Sequence, residues 1–179
     1  MDIVEHYAAM ARYNGWMNRK LYDSAATLTD DERRRDLGAF FHSLHGTLNH
    51  LVLTDRAWLV RFTKDPRLLQ SLDGTTPEFS GRLDQELYTD FATLSRERDK
   101  TDSDIVRWTQ GLSAKALADP FGYYSVAHER TYEHPLWWAV SHFFNHQTHH
   151  RGQAATLLVQ LGCDPGTTDL VDLLRNEPS

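Results

Sequence analysis

The fold of this chain is decided by one stretch, Ser141-His142-Phe143-Phe144-Asn145-His146-Gln147-Thr148-His149-His150-Arg151-Gly152-Gln153. Its apolar and helix-compatible residues predict an α-helix that carries four histidines within nine positions. Residues four apart on a helix lie one turn apart and about 40° round its axis, so His142, His146 and His150 form a row. Two imidazoles of this row can bind one metal ion. Gln147 stands where the related metalloprotease motif has its glutamate, which excludes a metalloprotease of that kind.

Three more amphipathic helices are predicted from apolar residues at helical spacing. The four helices span residues 3–28, 39–63, 83–111 and 136–161. The third helix contains the very polar run 96–104, which we expect to face solvent. Four long helices in a chain of 179 residues predict an all-α fold, a four-helix bundle that forms a single domain over residues 1–179.

The connections between these helices are long. Residues 64–82 include Pro66, Gly74, Pro77 and Gly81, so they predict an extended loop that is able to roof a pocket. Two short aromatic and β-branched runs, 119–126 and 130–134, predict a small β-hairpin before the last helix. A capped short turn is expected at residues 29–32, and one further helical turn at 168–175.

Two sets of residues on the predicted helices each have two interpretations. Asn14 and Asn18 lie on the apolar stripe of the first helix, where an amide is either a hydrogen-bonded tie or part of a polar cavity. The residues on the same side of the second helix as His50 are small, which either leaves room for a substrate cavity or lets another element approach closely. They are Ser43, Gly46, Thr47, Thr54 and Ala57.

Composition narrows the class of partner. The formal net charge of −6 disfavours a nucleic acid as partner. Cys163 is the one cysteine, so no internal disulfide forms and a cytoplasmic location is expected. No apolar run is long enough to span a membrane, and residues 1–6 lack the pattern of a secretion signal.

The histidine spacing alone does not choose a ligand set. A lone histidine on an apolar face, such as His50, is usually a hydrogen-bonded core residue, and the last helix offers several competing pairs among His142, His146, His149 and His150. Bundles commonly build metal sites from side chains that project inward from facing helices, so an internal site is expected if these histidines bind metal.

Two runs of the sequence resemble one family. They are Thr47-Leu48-Asn49-His50-Leu51-Val52-Leu53-Thr54-Asp55-Arg56-Ala57-Trp58-Leu59 and His146-Gln147-Thr148-His149-His150-Arg151-Gly152-Gln153. Both are similar to motifs of the DinB/YfiT-like superfamily of bacterial four-helix-bundle metalloenzymes, and residues 13–19 resemble the first helix of that family. The resemblance covers nearly the whole chain.

The resemblance implies a three-histidine site for a divalent ion such as zinc or nickel, carried over to His50, His146 and His150. His142 is the reserve ligand, and His42, His45 and His149 are expected in supporting, packing or surface roles. Gln153 is expected to support the site, Arg151 to pair on the surface, and Gly152 to allow another backbone to approach. The sequence identifies no catalytic residue; Glu133, Asp55 and Glu86 remain candidates for a general base.

Three functional hypotheses follow. The first is a metal-dependent enzyme, as in DinB-like relatives, that activates water or a low-molecular-weight thiol for hydrolysis or transfer on a small molecule. The second is a metal-binding bundle without turnover. The third is an interaction module whose histidines are core residues and whose Trp137 and Trp138 form a dimer surface. Relatives often form dimers, so the resemblance implies a homodimer under each hypothesis.

Overall fold

The computed structural model describes residues 2–125 and 128–176. Seven α-helices and one two-stranded antiparallel sheet are present in these two ranges. The helices are α1 (Ile3–Ala26), α2 (Asp30–Arg34), α3 (Leu44–Thr63), α4 (Phe91–Gln110), α5 (Ala114–Ala118), α6 (Leu136–Gln160) and α7 (Leu170–Asn176), and the strands are β1 (Pro120–Ser125) and β2 (Arg130–Pro135). A single 3-10 turn, Pro66–Leu69, follows α3.

Four long helices form the bundle that the sequence predicts. Helix α1 packs against α4 and α6, and α3 packs against the same two, so α1 and α3 lie diagonally opposite. The hairpin β1–β2 is confirmed, with Pro120 opposite Pro135 and Ser125 opposite Arg130. The part of the predicted hairpin at residues 126 and 127 lies outside the described residues.

Helix ends follow local capping chemistry. Thr29 and Glu32 form a complete capping box at α2, as the sequence predicts. Helix α3 begins at Leu44, five residues later than predicted, because the Ser43 side chain caps it by accepting from the Gly46 N–H. Residues 39–43 form a tight turn instead, with His42 at φ 64°. Helix α4 begins at Phe91, capped by Asp90, so residues 83–90 belong to the connection rather than to the predicted helix.

The core is divided into two apolar clusters by a polar layer. One cluster surrounds Leu21, Leu48 and Leu158, and the other surrounds Leu59 and Phe143. Between them, at the middle of the four long helices, lie charged side chains that are almost fully buried. Among the described residues the buried charges are three cations and three anions: Arg56, Arg98, Arg151, Asp55, Glu97 and Asp102.

Direct contacts connect the members of this polar layer. Arg98 donates to Asp55 at 2.7 Å and to Asp102 at 2.8 Å, and Asp102 also accepts from the amides of Asn14 and Asn18. These two asparagines are therefore hydrogen-bonded ties between α1 and α4, the first of the two interpretations. The prediction that residues 96–104 face solvent is wrong for Glu97, Arg98, Thr101 and Asp102, which are buried. Their charges are tolerated inside because each carboxylate or guanidinium has a partner.

No helix in the described ranges is both long enough and apolar enough to cross a membrane.

Candidate metal centre

Three histidines from two helices meet on one side of the bundle. His50 lies on α3, and His146 and His150 lie one turn apart on α6. The Nε2 atom of His146 lies 3.4 Å from that of His50 and 3.1 Å from that of His150. One nitrogen from each ring lies within 4.8 Å of the other two, which is close enough to surround a single ion. The structure thus brings together all three residues that the resemblance implied.

The outer ring nitrogens fix which atoms face inward. His50 Nδ1 lies 2.8 Å from the carbonyl oxygen of Leu83, which only accepts, so this ring donates from Nδ1. His150 Nδ1 lies 2.7 Å from Gln153 Oε1 and donates in the same way. A neutral imidazole that donates from one nitrogen presents a lone pair on the other. The Nε2 atoms of His50 and His150 are therefore both lone-pair donors that point at the same place.

A phenyl ring covers His50. Phe41 stacks on this imidazole with ring centroids 3.9 Å apart, and its centroid lies 5.5 Å from that of His150. Phe41 is held there by the turn before α3, and Gly46 makes this turn fit. A Cβ atom at Gly46 would collide with the Phe41 carbonyl oxygen. Gly46 is one of the small residues on the His50 side of α3. It is small because the Phe41 backbone approaches it closely, and not because it leaves room for a cavity.

Burial keeps the three rings neutral. It lowers the pKa of His50 to about 4 and that of His146 to about 3, and the charges of neighbouring histidines lower the pKa of His146 further. Burial also lowers the pKa of His150. At neutral pH the three rings are therefore unprotonated, which is the form that binds metal.

Four other histidines of α6, α3 and the turn before α3 take other places. His142 lies one turn before His146 with ring centroids 5.8 Å apart, and it packs against Trp58. His149 is exposed and contacts Gln153. His45 is buried and contacts the Tyr88 carbonyl, and His42 is exposed beside Asp36. Neither His142 nor His149 belongs to the group whose nitrogens converge.

Two predictions about the end of the run 146–153 are wrong. Arg151 does not pair on the surface: it is buried against α1, where it donates to Asn14, and it also donates to Thr148. Gly152 is exposed and a Cβ atom there would meet open space, so no backbone approaches it. Nothing in the structure explains the glycine. Gln153 does support the site, through its contact with His150.

Two of the three candidate bases are engaged in ion pairs, and the third lies on the hairpin. Asp55 is buried in its ion pair with Arg98, and Glu86 is paired with Arg34. Glu133 is exposed on β2, opposite Gly122. Sequence reasoning missed Phe41 and Leu83, which cover and orient His50. No sequence motif identifies either residue. Leu83 contacts His50 through its main-chain oxygen, and Phe41 reaches His50 because of the conformation of the turn before α3.

The fold and this site define a four-helix bundle with an internal cluster of three histidines. The chain belongs to the DinB family, whose family model matches residues 4–178. Among solved structures it is similar to a DinB-like protein from Bacillus cereus ATCC 10987, with 24% identity, a TM-score of 0.58, and coverage of 87% of this chain and 91% of that one. At this identity the likeness shows the fold. No curated protein matches the chain.

The residues present fit a bound divalent ion. Three neutral imidazoles are a donor set that zinc, nickel and related ions accept. Two of the three rings are oriented through their outer nitrogens, which is the arrangement that metal-binding histidines usually have. The Nε2 atom of His146 lies 3.4 Å and 3.1 Å from the nitrogens of His50 and His150 that carry lone pairs, so the three ring nitrogens border one small volume.

Proposed function

We propose that this DinB-family protein is a metal-dependent enzyme in which His50, His146 and His150 hold a divalent ion, zinc or nickel. The observation that carries the proposal is the convergence of three ring nitrogens within 4.8 Å, with the outer nitrogens of His50 and His150 occupied by Leu83 and Gln153. Three neutral ligands leave the ion its full positive charge, and when bound it supplies the Lewis acidity that activates a water or a low-molecular-weight thiol.

The protein residues have three tasks in this proposal. His50, His146 and His150 stay unprotonated at neutral pH because burial lowers each pKa. Leu83 and Gln153 hold the tautomers of His50 and His150, and Phe41 excludes water from one face of His50. The reaction proposed is hydrolysis of, or thiol transfer to, a small molecule. No carboxylate is assigned as general base, since Asp55 and Glu86 are occupied in ion pairs.

The test loads the protein, purified without a histidine tag, with zinc or with nickel. It is then screened with a set of electrophiles and thiols, and separately with a set of esters and amides. Activity that appears only with metal and disappears in His146→Ala, but not in His149→Ala, supports the enzyme. Metal uptake without activity in either screen favours a metal-binding bundle without turnover.

The assembly state is a further part of this proposal. We propose a single-domain, cytoplasmic homodimer that uses the exposed pair Trp137 and Trp138. These side chains are 43% and 54% exposed at the start of α6, which is unusual for tryptophan on a monomer surface. Sedimentation of the wild type and of the Trp138→Ser variant tests it. A wild type that sediments as a monomer would contradict the proposed dimer. It would not bear on the proposal that the three histidines hold a metal ion.

A further inference from the structure

A cavity of about 260 Å³ lies between α3 and the connection that follows it. Leu53, Ala57 and Val60 form its helical wall, and Leu69, Pro77 and Phe79 form its roof. The same connection supplies the Leu83 carbonyl that orients His50. The connection therefore serves two places: residues of the predicted roofing loop, 64–82, cover the cavity, and Leu83, which follows that loop, fixes the ring of His50.

The cavity is apolar except for two arginines, and no acidic residue lines it. Arg56 is fully engaged elsewhere, because it donates to Thr101, Tyr88 and Glu97. Arg61 instead lies over the rings of Trp58 and Tyr123, at 4.8 and 5.8 Å. In the part of the chain that the structure describes, Arg61 forms no ion pair. Burial lowers its pKa, as expected for a half-buried cation without an acidic neighbour.

Helix geometry places part of this cavity on the same side of α3 as His50. Ala57 and Arg61 lie seven and eleven positions after His50, so each is within about 20° of it round the helix axis. Arg61 is therefore about 16 Å further along α3, and side chains on a helix lean back towards its N-terminus, here towards His50. His142 connects the two places: its ring packs on Trp58, whose ring Arg61 also covers, and its centroid lies 5.8 Å from that of His146.

We propose that this cavity is the recognition subsite for the substrate of the metal centre, and that it takes an apolar ring or chain ending in a single carboxylate, which pairs with Arg61. This rests on the proposed function. The apolar walls favour an apolar ring or chain. The guanidinium of Arg61 has no ion pair with any described residue and carries one positive charge, so it favours a carboxylate with one negative charge over a phosphate monoester with about two. A dry cavity of about 150 Å³ holds benzene, so this cavity has room for a ring and a short chain.

Calorimetry with three ligands that differ only in their end group tests the proposal: 4-phenylbutyrate, 4-phenylbutan-1-ol and 4-phenylbutylamine. The carboxylate is expected to bind with Kd near or below about 1 mM, and about tenfold or more tighter than the alcohol. Arg61→Gln should remove this preference. Ala57→Phe should prevent binding of all three by filling the cavity. Arg130→Gln is the matched control, since Arg130 also lies over an aromatic ring, Tyr132, but on the hairpin surface.

The outcomes separate this inference from the proposed function. Equal affinity for carboxylate and alcohol, an unchanged preference in Arg61→Gln, or no binding of the carboxylate would each overturn the inference. The preference is expected to persist in His146→Ala, since the cavity needs no metal to bind the ligand. A wild type that takes up no metal but prefers the carboxylate would overturn the proposed function and support a carboxylate site. A wild type that binds metal but shows no preference overturns the subsite alone.

Discussion

The Nδ1 atom of His50 lies 2.8 Å from the carbonyl oxygen of Leu83, a residue in the connection between α3 and α4. The contact ties one ring of the three-histidine cluster to a loop that contributes no ring nitrogen to it. On α6 the corresponding task belongs to a side chain, because His150 donates to Gln153 Oε1 at 2.7 Å. A substitution can remove the Gln153 side chain and so test the contact with His150. The contact with His50 uses the main-chain carbonyl of Leu83, which every residue has.

Replacing Gln153 by leucine is expected to weaken zinc binding about 10- to 100-fold, because His150 loses the acceptor that fixes its tautomer and orientation. Competition with a chromophoric chelator measures this affinity. Gln160→Leu, the same change at an exposed position of the same helix, should leave it unaltered. Equal affinities for the two variants would show that Gln153 does not orient the ligand.

Two of the helical glycines, Gly46 on α3 and Gly152 on α6, make a matched pair. Gly46→Ala should lower the free energy of unfolding by about 1–3 kcal/mol, since its Cβ would collide with the Phe41 carbonyl. It should also weaken metal binding, because Phe41 is displaced from His50. Gly152→Ala, in open space on α6, should raise the free energy of unfolding by about 0.5–1 kcal/mol. Urea denaturation measures both, and a stable Gly46→Ala would contradict the close approach.

The buried charges give a second matched pair, on α4. Arg98→Met leaves Asp55 and Asp102 without their cation in an environment where Arg98 is 1% exposed, so it should lower the free energy of unfolding by about 3–5 kcal/mol. Arg107→Met removes an exposed partner of Asp104 and should cost less than about 1 kcal/mol. Similar midpoints in urea for the two variants would mean that the polar layer is not stabilising.

Acid should destabilise the metal-free protein through its histidines. The pKa is about 4 for His50 and about 3 for His146 in the fold, against 6.5 in the unfolded chain, so the unfolded chain binds more protons as the pH falls from 6.5. The free energy of unfolding should therefore decrease from pH 6.5 down to about pH 4, by up to about 1.4 kcal/mol per pH unit for each proton.

A single variant isolates this effect from other titrating groups. His146→Gln should reduce the slope of unfolding free energy against pH by up to about 1.4 kcal/mol per pH unit, the equivalent of one proton. The measurement is urea denaturation in chelator at several values of pH. A slope in His146→Gln equal to that of the wild type would show that this ring is not kept neutral by the fold.

Apolar residues at helical spacing, together with proline, glycine and capping residues at the ends, were sufficient to predict the long helices α1 and α6. Aromatic and β-branched runs were sufficient to predict the hairpin. The start of α3 was wrong because the apolar pattern continues through Phe40 and Phe41, whereas the helix waits for the Ser43 cap. Phe41 is buried in a turn and Phe40 is 78% exposed, so apolar residues at helical spacing did not mark where the helix begins.

The polar layer and Arg151 were beyond sequence reasoning for another reason. The sequence predicted Arg98 and Arg151 at the surface because a charged side chain is buried only when it has partners. Two of these partners, Asp55 for Arg98 and Asn14 for Arg151, lie on other helices. Helix α6 is also covered on more than one side, so a residue turned away from the histidines still faces α1 rather than water. The histidine spacing on α6 predicted a pair without choosing among His142, His146, His149 and His150. The choice of His146 and His150, and the addition of His50, came from the family resemblance.

Metal content of the untagged protein tests the central claim most directly. After incubation with zinc and removal of excess ion, elemental analysis should find about one ion per wild-type chain and per His6→Ala chain, and almost none in His146→Ala. A wild type without metal, or a His146→Ala variant that retains a full ion, would contradict the three-histidine centre.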